Sequence, residues 1–143
     1  MFEFMVLLHT IGAVGMGFYI VMPLLVGKAS KLAGAGQAGL AEGLISANRI
    51  AQYFLIVQLL TGGYLMSKND YTVLWMILVT VLFLAIAALG GIATKPLKRI
   101  VASIQSGQSA TAHINKARVL SIIVLVLYLV TIYLMQYPFF KGA

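Results

Sequence analysis

The sequence contains no cysteine, and only three of its 143 residues are acidic. The first absence excludes a disulfide framework, thiolate metal sites, iron–sulfur clusters and covalently attached c-type haem. Haem held through histidine alone stays open. Charged residues make up 9% of the chain, against about 25% in ordinary globular proteins. In their place stand hydrophobic residues, 62% of the chain, with a mean hydropathy of +1.01. A soluble fold has no interior large enough to hide so much apolar surface, whereas a bilayer accepts it.

Four runs approach the roughly 20 apolar residues needed to cross hydrocarbon. They cover approximately residues 4–26, 44–66, 71–92 and 119–137. Each is solidly apolar rather than alternating, which excludes a transmembrane β-barrel. None carries an acidic residue in its middle. The expected fold is therefore all-α, a single domain over 1–143 built as a bundle of four transmembrane helices. The first run has no basic leader and is followed by lysines, so it reads as a span and not as a removable signal peptide.

The net charge of +7 is distributed by topology. Lys28, Lys31, Arg49, Lys95, Lys98, Arg99, Lys116 and Arg118 all fall on one side of the predicted spans, and only Lys68 and Lys141 on the other. The positive-inside rule then places both long connections in the cytoplasm and both termini outside. Nucleic acid is excluded as a partner; the lipid bilayer is the expected one.

The connections differ in kind. Ser67-Lys68-Asn69-Asp70 is a tight polar turn that makes spans 2 and 3 an antiparallel hairpin. The stretch GKASKLAGAGQAGLAEG reads as a flexible loop with a short helix at its end. After Pro96, the residues Leu97, Ile100, Val101 and Ile104 recur at helical spacing, with Lys98 and Arg99 beside them. That pattern predicts a short amphipathic cytoplasmic helix lying on the inner membrane surface.

Within the spans, polar residues need a partner or a purpose. His9 lies about 8 Å below the outer boundary at ~1.5 Å per residue. Gly12, Ala13 and Met16 follow it along one face, and Met5 precedes it by one turn. Two readings stand: a ligand site in which Gly12 and Ala13 clear space, or a histidine hydrogen-bonded to a neighbouring helix. Arg49 either snorkels to the inner surface or meets an anionic group. Gln58 and Thr61 are expected to bridge helices. The glycines at 12, 15, 17, 62, 63, 90 and 91 are expected where backbones approach closely. Tyr71, Trp75, Tyr133 and Tyr137 fit an aromatic belt. His113 precedes span 4 at the opposite end, so it is too far from His9 to share one iron. Met1, Met5, Met66, Met76 and Met135 fall in the outer half with His9, and thioether with imidazole suits Cu(I).

The pattern Leu8-His9-Thr10-Ile11-Gly12-Ala13-Val14, with Asn48-Arg49 opening span 2, resembles a group of small bacterial four-helix membrane proteins. The group includes the membrane domain of CopD-type copper-resistance proteins, the HemJ-type protoporphyrinogen oxidases and a family of uncharacterised integral membrane proteins, which the chain matches best. The resemblance runs over the whole chain through short motifs. It implies a multi-pass protein of the bacterial inner membrane, with His9 as a haem or metal ligand and Arg49 as a propionate contact. On the HemJ-like side it implies oxidation of protoporphyrinogen IX, with bound haem b passing electrons to respiratory carriers. HemJ-type proteins carry basic residues near the start of the third span, where this chain reads Tyr71-Thr72-Val73-Leu74-Trp75-Met76-Ile77.

Three functions follow as expectations. The first is a haem b or tetrapyrrole-binding, redox-active protein with His9 as axial ligand. The second is CopD-like Cu(I) handling through Met5, His9 and the other outer methionines. The third is a non-enzymatic accessory subunit, packed on a membrane partner or on a second copy of itself.

Overall fold

The computed structural model describes residues 2–68 and 71–137. They form six helices: α1 (Phe2–Gly15), α2 (Phe18–Ala29), α3 (Gly34–Ser67), α4 (Val73–Ile92), α5 (Thr94–Gln105) and α6 (Thr111–Gln136). Four spans are long and apolar enough to cross a membrane: α1 with α2, α3, α4 with α5, and α6. The four-helix bundle of a multi-pass membrane protein is thus observed. The exposed cations Lys28, Lys31, Arg49, Lys95, Lys98, Arg99, Lys116 and Arg118 mark its basic end. Lys141 and the turn residues Asn69 and Asp70 lie outside the described residues.

The first span is two helices. Around Gly15-Met16-Gly17 the ladder tightens: the Gly17 N–H donates to Val14 O and the Tyr19 N–H to Met16 O, each at 3.0 Å. These are three-residue bonds in place of four-residue ones, and paired glycines are a known cause of such breaks. The Ala13 carbonyl, which a regular helix would offer to Gly17, accepts instead from the Tyr128 hydroxyl of α6 at 2.9 Å. Below the break, α2 packs against α6 and α3; above it, α1 packs extensively on α3 alone.

The third span is interrupted at Ala93. Pro96 has no N–H, and its ring crowds the carbonyl of Ile92 four residues back, so the α4 ladder ends there. Pro96 then sits in the first turn of α5, where a missing N–H costs nothing. The amphipathic helix expected in this region exists, but its apolar stripe does not lie on the membrane surface. Leu97 and Ile100 are completely buried, and α5 packs on α3 and α6. The reason is the length of α3. The Gly/Ala-rich connection expected as a loop is mostly helix, because α3 begins at Gly34 (φ +57°) and carries Ala41 and Leu44 into the core at the basic end. The stripe of α5 covers that extension.

At the basic half the interior is polar and fully bonded. The Tyr19 hydroxyl donates to Asn48 Oδ1 at 3.0 Å and accepts from Gln52 Nε2 at 2.5 Å. Asn48 Nδ2 donates to the Gly90 carbonyl at 2.7 Å and to Thr94 Oγ1 at 3.2 Å. Gly90 carries no side chain because a Cβ there would meet Gln52 Nε2 at 2.5 Å and the Tyr19 hydroxyl at 2.7 Å. This network ties α2, α3, α4 and α5 together, and each member is satisfied.

Candidate functional site

The opposite half of the bundle is different. Because α1 leans on α3 and not on α6, a cavity of about 370 Å³ remains among α1, α3, α4 and α6. That volume is in the usual range for small-ligand sites. His9 and Ala13 line it from α1, Met16 from the break between α1 and α2, and Gln58, Gly62 and Met66 from α3. Trp75 and Phe83 of α4 and Tyr128, Thr131 and Met135 of α6 complete most of the wall.

His9 is oriented by Thr61. The Thr61 hydroxyl donates its single proton to the Val57 carbonyl at 2.8 Å, the usual back-bond of a helical threonine. Its oxygen therefore accepts from His9 Nδ1–H, also at 2.8 Å. A neutral ring with a proton on Nδ1 has an unprotonated Nε2, and that lone pair belongs to a residue on the cavity wall. The arrangement matches the usual support of a metal-bound imidazole, whose second nitrogen is fixed by an acceptor outside the site. His9 bonds a neighbouring helix, as one of its two sequence readings has it, and it also lines the cavity.

The space for the imidazole comes from α3. A Cβ at Gly62 would lie 3.3 Å from His9 Cε1. Gly12, expected to clear room for a ligand, instead makes room for α3: a Cβ there would collide with Gln58 Oε1. Gly15 likewise receives the ring of Phe54. Gly63 and Gly91 face open space, so the packing expected of them is not seen. Ala13 and Met16 do line the cavity.

Two other expected contacts lie elsewhere. Arg49 is exposed, and it precedes Gln58 by nine residues, about 13 Å along the helix axis. It cannot meet a ligand held at His9. Met5 is half-buried on α1 and is not part of the wall. The thioethers that do accompany His9 are those of Met16, Met66 and Met135; Met76 lies on an outer groove of α4.

Trp75 corrects the aromatic belt. It is 3% exposed, stacks on Tyr71 with centroids 4.4 Å apart, and donates from Nε1 to the Leu134 carbonyl at 2.8 Å. Tyr133 and Tyr137 remain exposed, as a belt requires. Gln58 has a further peculiarity: it is 4% exposed, and its Oε1 is a buried acceptor with no hydrogen-bond partner.

Among the described residues no three His, Cys, Asp or Glu side chains gather into a metal-holding group. Among the described residues the wall offers one imidazole, three thioethers, aromatic faces and a few neutral hydrogen-bonding groups, and neither Lys nor Arg. The chain matches no family model, no curated protein and no solved structure, so the meaning of the cavity has to be taken from this chemistry.

Proposed function

We propose that the protein binds haem b in this cavity, with His9 Nε2 as the axial ligand, in the inner membrane of a bacterium with its basic end in the cytoplasm. The observation that carries the reading is the Thr61 hydrogen bond, which commits the Nδ1 proton and leaves Nε2 to a ligand. The wall suits a flat apolar ring. Ala13 and Gly62 are small, and Trp75 and Phe83 offer apolar surface. Haem supplies one-electron chemistry when bound; the protein supplies an axial nitrogen and shelter from water.

The test is an absorption spectrum of the protein purified from a haem-replete host, before and after dithionite. We expect a Soret band and, on reduction, α and β bands, all lost in His9→Ala. A featureless wild-type spectrum removes the reading.

One observation favours a second possibility. Met16, Met66 and Met135 share the cavity with His9, and soft thioethers with an imidazole suit Cu(I). In that case the colourless protein takes up stoichiometric Cu(I), and replacing these three methionines with leucine abolishes the uptake.

A further inference from the structure

The cavity is closed on one side and open on another. Away from α1, the Tyr71–Trp75 stack and the Trp75–Leu134 hydrogen bond seal α4 against α6. On the remaining side, α1 and α6 face one another with little between them. Among the described residues, a side-chain hydrogen bond joins them at the break in the first span, from Tyr128 to the Ala13 carbonyl. Above that bond the wall is exposed at Thr10 of α1 and at Ile132 and Gln136 of α6.

The depth of this gap decides what it faces. Thr10 lies eight residues, about 12 Å, from the start of α1, and Ile132 about 6 Å from the end of α6. The outward side chains around the gap are Leu7, Ile11 and Val14 on α1 and Leu129 on α6, all exposed and apolar. At this depth such a rim faces hydrocarbon, with the exposed Tyr133 and Gln136 toward the end of α6.

We propose that the cavity is loaded sideways from the bilayer, through a slot between α1 and α6, so that its ligand is a membrane-dissolved and largely apolar molecule. Tyr128 is the latch at the foot of the slot, and α1 is the movable side. The proposal rests on the cavity being a ligand site. It deepens the haem reading, because haem partitions into lipid, and it runs against a metal ion delivered from water.

Trp75, the single tryptophan of the chain, lines the cavity and reports on its contents. The full chain is reconstituted in phosphatidylcholine vesicles whose acyl chains are brominated near their middle, and Trp75 fluorescence is read. The absence of native cysteine permits a clean clamp: Thr10→Cys with Ile132→Cys, joined by a short bis-maleimide. Before joining, bromolipid quenches Trp75; after joining, most of that quenching is lost. Tyr128→Phe, which keeps the ring and removes the latch, increases it. Iodide in the water quenches little in every form. Bromolipid quenching that ignores the clamp, or strong iodide quenching, overturns the proposal. The two readings fail separately. A chain without a Soret band but with clamp-sensitive quenching loses haem and keeps the slot. One with a Soret band and clamp-insensitive quenching loses the slot and keeps haem.

Discussion

At the scale of the residue, the site depends on a proton held in place. His9 has two nitrogens, and the Thr61 hydroxyl, which donates its proton to Val57, favours the tautomer with the proton on Nδ1. Thr61→Val keeps the shape and removes the acceptor, so the proton is free to sit on either nitrogen. We expect haem affinity to fall about 10- to 100-fold, as for other supporting partners of metal-bound histidine. The Soret band persists at saturating haem, and titration of the detergent-solubilised protein measures the difference. Much of this site was legible in the sequence: a histidine in an apolar span followed by Ala13 and Met16 pointed to it. Other parts were not. Gly62 gives the imidazole its room from 53 residues away in the chain, and Met66 and Met135 join His9 through packing. No spacing within one helix reveals such a meeting. Arg49 misled for the converse reason: its neighbour Asn48 faces inward, but one residue on is about 100° round the helix, and the guanidinium faces outward.

Elements are set by their ends and their neighbours. The four apolar runs locate the membrane-spanning parts of α2, α3, α4 and α6, but neither the Gly34 start of α3 nor the break that divides α1 from α2. Gly15 and Gly17 read equally well as contact glycines, and only the register of the hydrogen bonds distinguishes the two roles. The same holds for α5, whose apolar stripe was correct while its partner was not. A stripe states that a face is buried and is silent on whether lipid or protein buries it. Since the Gly34 start of α3 supplies the cover, the interior of α5 behaves as a protein core. Leu97→Ala is therefore expected to destabilise the bundle by about 2–5 kcal/mol. A helix merely resting on lipid would leave the fold almost unaffected. Unfolding by graded addition of a denaturing detergent measures which holds.

Seen whole, the molecule has two unlike halves. Toward the basic end, α2, α3, α4 and α5 are tied through Tyr19, Asn48 and Gln52, and among the described residues no buried side-chain nitrogen or oxygen there lacks a partner. Toward the other end lie the cavity, an unpartnered Gln58 oxygen and a helix supported on one side. Composition alone could not foretell this asymmetry, because glycines and apolar runs occur in both halves. It has a consequence for local stability. A segment with few buried contacts opens at a lower free energy than the fold around it. Only Gly12 of α1 is fully buried among its described side-chain positions, whereas α2 buries Tyr19, Met22, Val26 and Ala29. Amide hydrogen exchange in mild detergent should therefore be fast along 5–14 and slow along 20–29, with the change falling at the glycine break. Equal protection on both sides would contradict it. With that exchange pattern, the first span, continuous in sequence and crossing the bilayer once, acts as two units: an anchor that holds the bundle, and an arm that opens without bringing the rest down.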